Sequence, residues 1–199
     1  MKHGTNQSYG TSEMAFHNPL NNIDNYAWNK LYKRSLFEDV IYPVGYLWED
    51  IGTTYKIFER AESVFLSNRV LYYYYKRATN ITSNLSTKAL QHIFELRYIR
   101  YKDLKETYPQ ISQMLFSEVV TSAFAFYRWG ICENYNSQKL DEVKKFLHDY
   151  QNSILHGDYF KSGKLHKLYF KFNAVYNLLH KIKFKLRFLK QYFRIVKCI

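Results

Sequence analysis

From Leu165 to Val196 the chain repeats every seven residues. Leu165, Phe172, Leu179, Leu186 and Phe193 form one apolar series, and Leu168, Val175, Ile182, Leu189 and Val196 form a second, offset by three. No Gly or Pro interrupts them. Such spacing lines both series along one stripe of an α-helix and excludes a strand, whose side chains alternate with period two. A continuous helix over this stretch would be about 48 Å long at ~1.5 Å per residue.

Charge is concentrated in the same place. Residues 159–199 hold eleven basic side chains and no acid, whereas the first 158 residues carry 18 basic and 17 acidic groups. Eleven of the twelve net positive charges therefore lie in 159–199, so a basic arm, 164–199, follows a nearly neutral body. Self-pairing as a coiled coil is disfavoured. Lys183, Lys190 and Lys197 fall at e positions and Lys171 and Lys185 at g, with no acid to pair them. Lys and Arg interleaved with aromatics also suit nucleic acid, but no recognised nucleic-acid motif accompanies them. The preferred partner is an anionic membrane surface, with the stripe in the interface and the cations toward headgroups. Packing of the stripe on the rest of the chain, with a solvated basic face, is the competing structural reading.

Few residues break helices: 7 Gly and 3 Pro among 199, against 20 Tyr, 15 Phe and 3 Trp. That balance favours long helices. Two cysteines, Cys132 and Cys198, exclude a disulfide framework or a cysteine zinc site and suggest a reducing compartment. The seven histidines show no metal spacing. The polar start of the chain gives no expectation of a secretory signal. No stretch reaches the roughly 20 apolar residues of a membrane span.

Three parts follow. Residues 1–25 are polar. Residues 26–86 mix strand-like and helix-like pieces: a short strand is expected over Tyr26 to Tyr32, a turn capped by Ser35, and a loop at Pro43 and Gly45. A helix should follow from Glu49, with Ile51, Tyr55, Phe58 and Ala61 on one face. Ser63 to Leu66 and Val70 to Tyr75 read as strands, and Thr79 to Asn84 as a loop. Residues 87–199 read as helices near 87–107, 110–134 and 139–152, then the arm.

Three segments in order carry a family resemblance. They are Ala27-Trp28-Asn29-Lys30-Leu31-Tyr32-Lys33-Arg34, then Trp48-Glu49-Asp50-Ile51-Gly52-Thr53-Thr54-Tyr55, then Leu71-Tyr72-Tyr73-Tyr74-Tyr75-Lys76-Arg77 running into Ala78-Thr79-Asn80-Ile81-Thr82. Together, over residues 26–84, they resemble the C-terminal half of a family 2 glycosyltransferase of the GT-A fold, as in bacterial capsule, exopolysaccharide and teichoic acid biosynthesis. The resemblance implies an α/β fold, a partial GT-A domain over 1–86, followed by an all-helical region over 87–199 that ends in a long basic amphipathic helix. It implies inverting transfer of a sugar from a nucleotide-sugar to a cell-surface polysaccharide or lipid-linked acceptor, by an enzyme on the cytoplasmic, inner face of the membrane. The complete family enzyme uses a divalent metal, Mn or Mg, held by a D-x-D motif. No D-x-D occurs in this sequence and only 27 residues precede Trp28, so a truncated or split enzyme without its own cofactor site is expected. The alternative, from another class, is a noncatalytic basic helical adaptor for membrane or nucleic acid.

Inverting transfer needs a base within hydrogen-bond reach of the acceptor hydroxyl. By resemblance Asp50 is that base and Glu49 orients the site. On residue chemistry alone, two acids at a helix start complement the macrodipole. Arg77, Asn80 and Thr82 would close over the leaving diphosphate, where cations and donors stabilise the charge that develops. Asn80 stands where the family pattern has Ser, and the plain alternative is a basic strand end followed by a polar turn. Trp28, Asn29 and Lys30 would border the sugar cleft. Without the resemblance, Trp28 reads as a core residue of a short strand. The Tyr72 to Tyr75 run reads as an aromatic strand in a half-buried sheet.

Overall fold

A computed structural model describes residues 7–9, 25–67, 69–75, 85–157 and 163–196. The chain divides into two compact units, Met1–Phe116 and Ser117–Ile199.

Helices dominate. They are α1 (Thr54–Arg60), α2 (Thr87–Leu104), α3 (Pro109–Glu133), α4 (Ser137–Asp149), α5 (Gln151–His156), α6 (Lys164–Lys171) and α7 (Asn173–Val196). Short 3-10 turns cover Arg34–Phe37 and Glu49–Gly52. Ser86 starts α2: its hydroxyl accepts from the Ala89 N–H at 3.1 Å. Pro109 opens α3, a position where its missing N–H has no intrahelical partner to lose. The Asn136 side chain caps α4 by accepting from the Lys139 N–H at 3.2 Å.

The α/β expectation fails. Among the described residues the strands are β1 (Gln7–Tyr9) and β2 (Val64–Leu66), paired antiparallel, with Ser8 opposite Phe65. Two three-residue strands do not make the layer that a GT-A domain is built on, and a strand is stable only beside neighbours that complete its ladder. The segment Tyr26 to Tyr32 is not a strand. Asn29 takes a left-handed conformation (φ 63°), which breaks the pleat, and the Lys30 ammonium reaches back to the Tyr26 carbonyl at 2.7 Å. Tyr72 to Tyr75 form no strand either, and all four rings are exposed. Ser35 lies inside its 3-10 turn and caps nothing. Gly45 takes φ 82° in the turn after Pro43, a conformation open to glycine at no steric cost.

In the first unit, Tyr55, Leu104, Ile111 and Leu115 form a buried cluster, with Tyr101 and Tyr108 packed against it. Ile51, Ile57 and Phe58 are buried from the same short stretch. Gly52 lets the Glu49–Gly52 turn sit close against α2: a Cβ there would lie 2.6 Å from Leu96 Cδ2. Leu96 is itself buried and has little room to yield.

The second unit has an aromatic core. Phe124 and Tyr127 of α3 meet Tyr169 of α6 edge-on, with ring centroids 5.3 and 5.1 Å away, and Tyr176 of α7 lies 5.3 Å from Tyr169. Edge-to-face pairs gain from the ring quadrupoles as well as from burial. The Tyr127 hydroxyl donates to Asn177 Oδ1 at 3.1 Å and lies 3.3 Å from Asn173 Oδ1. The arm is not one helix. Phe172 leaves helical geometry (φ −142°, ψ 67°), so α6 stops and α7 restarts at Asn173. Arm residues whose rings meet α3 include His166, Tyr169, Phe170, Tyr176 and Phe184, the last 5.9 Å from Trp129.

Burial without a partner makes a specific prediction. The Tyr169 hydroxyl is buried and bonded to nothing, and burial also pushes its pKa up. An unsatisfied buried hydroxyl costs about 1–3 kcal/mol. Tyr169→Phe should therefore stabilise the protein by about 1 kcal/mol, raising the urea midpoint with little change in slope. A lower midpoint would show that the hydroxyl has a partner in solution.

Candidate functional site

The turn Glu49–Gly52 is the structural centre of the candidate site, and three contacts from distant parts of the first unit hold its surroundings. The Thr54 hydroxyl donates to the Asn25 carbonyl at 2.6 Å. The Arg100 guanidinium of α2 donates to Asn25 Oδ1 at 3.0 Å. These two bonds fasten the start of the 26–34 segment to α1 and α2. The Leu47 N–H donates to His92 Nδ1 at 2.9 Å, and the His92 ring packs on Tyr46 with centroids 4.5 Å apart. That bond fastens the residues before the turn to α2. Next to Thr54 at the start of α1, the Tyr55 hydroxyl donates to Asp103 Oδ2.

Trp48, directly before Glu49, is left-handed (φ 65°, ψ 34°). For a bulky residue this is an outlier, with a cost of order 1–3 kcal/mol, and such strain clusters at functional sites. Its indole N–H is also buried with no acceptor. Strain and an unsatisfied donor thus coincide one residue from the Glu49-Asp50 pair.

Asp50 is half-buried and its pKa is raised, first by burial and then by the like charge of Glu49. The Ile51 N–H and Lys30 pull the other way. Two tyrosines share this field. Burial, with Tyr42, Asp50 and in opposition Thr54, lifts Tyr32 to about 12. Tyr42 is raised by burial and by Asp50 and Glu49, again opposed by Thr54. At neutral pH both phenols keep their protons and can donate. The chemistry gathered here is a carboxylate of raised basicity, a second carboxylate, two phenol donors and one ammonium.

Of the residues expected from sequence, Glu49, Asp50 and Lys30 meet in this field. Asn29 is exposed, and its Oδ1 accepts from Lys30 Nζ at 2.9 Å, so it orients that ammonium. Trp28 is half-buried and stacks on three tyrosines, with ring centroids 4.6 Å from Tyr26, 5.1 Å from Tyr72 and 4.7 Å from Tyr74. It is therefore part of an aromatic platform, not a core residue of a strand. The platform joins the first and third of the three segments that carry the resemblance. Arg77, Asn80 and Thr82 lie outside the described residues.

Sequence reasoning missed Tyr32, Tyr42, Thr54, Asn25, His92 and Arg100. Tyr32 and Thr54 lay inside the quoted segments and were legible as neighbours. Arg100 and His92 sit on a helix far along the chain, and no spacing rule connects them to Asn25 or Leu47. Among the described residues no group of three or more His, Cys, Asp or Glu side chains could hold a metal ion.

Comparison of the chain with protein-family models, with characterised proteins and with solved structures gives no match.

His92 gives the first unit a pH dependence. Burial, with Lys88, holds its pKa below the ordinary value near 6.5, against an opposing pull from Glu95. A depressed histidine adds stability that is fully present above its unfolded pKa, about 6.5, and is lost as pH falls through the folded value. Asp50 and Glu59, raised by burial, act in the opposite sense in the carboxylate range. The urea midpoint should fall as pH drops from neutrality through the histidine range, and His92→Gln should flatten that slope. Identical slopes for the two proteins would remove His92 from the account.

Proposed function

We propose that residues 26–84 carry the acceptor-activating part of an inverting glycosyltransferase resembling family 2. The observation that supports this most is Asp50 itself: a carboxylate of raised basicity on a turn anchored to α2, one residue after a strained Trp. An acceptor hydroxyl at Asp50 gives up its proton to the carboxylate as its oxygen attacks the anomeric carbon. The bond from that carbon to the nucleotide diphosphate breaks from the opposite face, the configuration inverts, and Asp50 holds the proton. Glu49 keeps Asp50 basic. Tyr32 and Tyr42 offer hydroxyl donors to the acceptor, and the Trp28 platform offers an aromatic face for a sugar ring. The acceptor class is a cell-surface polysaccharide or a lipid-linked sugar, and the reaction lies at the inner face of the membrane. The donor sugar-nucleotide and its metal are bound by residues other than those described.

The test is transfer from a panel of UDP- and GDP-sugars with Mn²⁺. The chain is assayed together with the polypeptide encoded directly upstream, where a donor half with a D-x-D would stand. Transfer that needs both polypeptides supports the reading. Absence of transfer and of nucleotide-sugar binding by the pair would favour the noncatalytic adaptor.

A further inference from the structure

Most described positions of the arm's heptad stripe face outward, while Leu168 is half-buried. Leu165, Phe172, Val175, Leu178, Leu179, Ile182 and Leu186 are each between 45% and 59% exposed. Phe184, on the opposite side of α7, and Tyr176, about 100° around the helix from the centre of these residues, meet rings of α3. At 100° per residue Val175, Leu178, Leu179, Ile182 and Leu186 form one band, and exposed cations edge it on both sides. Lys181 and Lys185 lie along one edge; Lys183 and Arg187 lie along the other. No acid occurs anywhere from 159 to 199.

We propose that this face of α7 is a docking surface for an anionic lipid bilayer. Three observations select that occupant. The band is apolar and continuous, so it gains by leaving water. Its two cationic edges can carry their charge to the headgroups while their methylene stems extend the apolar face. Charge of one sign opposes pairing with a second copy of the same face, and an anionic surface complements it. Among the described residues no helix is long and apolar enough to cross a membrane, so the helix lies on the surface. The inference is independent of Asp50: it uses none of the residues of the proposed catalytic turn.

The experiment is co-sedimentation of the full chain with phosphatidylcholine vesicles, with and without phosphatidylglycerol, at low and high salt. Two full-chain variants accompany it. One replaces Leu179, Ile182 and Leu186 by Gln and the other replaces Lys181, Lys183, Lys185 and Arg187 by Gln; all seven side chains are exposed, so the fold should survive. The natural chain should pellet with anionic vesicles at low salt and release at high salt, since exposed charges are screened beyond about 10 Å at 0.1 M. The charge variant should bind anionic vesicles about 10²-fold more weakly or worse. The stripe variant should bind weakly at every salt concentration. Equal pelleting of all three proteins overturns the proposal. Loss with the charge variant but full binding by the stripe variant, with competition by homopolymer RNA, also overturns it and assigns the arm to nucleic acid. A dimer in sedimentation that only the stripe variant dissociates, without vesicle binding, overturns it in favour of a second copy.

Discussion

Asp50→Asn is expected to lower kcat by about 10²–10⁴-fold, the usual contribution of a general base, while leaving the fold and KM close to those of the natural chain. Asn keeps the side chain's size and its acceptor oxygen but cannot take the acceptor's proton. The pH profile separates this role from mere placement. Activity should fall on the acid side as Asp50 protonates, and that limb should lie above the ordinary aspartate value because burial and Glu49 raise its pKa. Glu49→Gln removes the like charge, so it should move the limb to lower pH and make Asp50 a weaker base. A substantial kcat in Asp50→Asn, with an unmoved acid limb in Glu49→Gln, would take both residues out of the mechanism.

The second large effect is on stability. Phe124 is 1% exposed and its ring meets His166, Tyr169 and Phe170. Phe124→Ala should cost about 3–5 kcal/mol, from lost transfer energy and from a cavity whose rigid aromatic walls cannot close. Leu179→Ala is the informative comparison. Leu179 occupies a regular heptad position but is exposed, so its truncation should change stability by no more than about 0.5 kcal/mol. Urea unfolding of both variants decides the matter. A Leu179→Ala cost equal to that of Phe124→Ala would place the heptad stripe in the core and remove the basis of the bilayer surface.

The stripe shows where periodicity stops being informative. Heptad spacing fixes that side chains share a helix face, not what covers it. Tyr169 and Tyr176 also stand seven apart, and they, not the leucines, are buried against α3. Each Tyr buries a larger ring, and the Asn173 and Asn177 amides beside them satisfy the Tyr127 hydroxyl, so this face fits α3 in both shape and polarity. No acid occurs within residues 159–199 to neutralise the cations that flank the leucine band, and docking it inward would have drawn those cations toward the core.

Of the three expected strands only Ser63 to Leu66 forms one, as β2, and the other two failed for a related reason. β-rich residues describe a tendency to lie on a pleated surface, and that tendency is realised only when neighbouring strands supply the ladder. Without such neighbours, Trp28 stacks on Tyr72 and Tyr74 instead. Ser86, Pro109 and Asn136 mark helix starts through bonds or φ restrictions made within a few residues.

The sequence by itself determined the helical character of residues 87–196 and the split between neutral body and basic arm. It also placed the Glu49-Asp50 pair at a helix start, where the structure has a 3-10 turn and the α-helix begins at Thr54. Each of these depends on neighbours in the chain or on summed charge. Tertiary structure decided which side of the arm is buried and that the arm breaks at Phe172. It also decided that Asp50 shares its field with Tyr32, Tyr42 and Lys30, on a turn whose flanks are tied down by Asn25, His92 and Arg100. Those outcomes depend on burial and on bonds between residues up to 75 positions apart, and no local pattern encodes such a pairing.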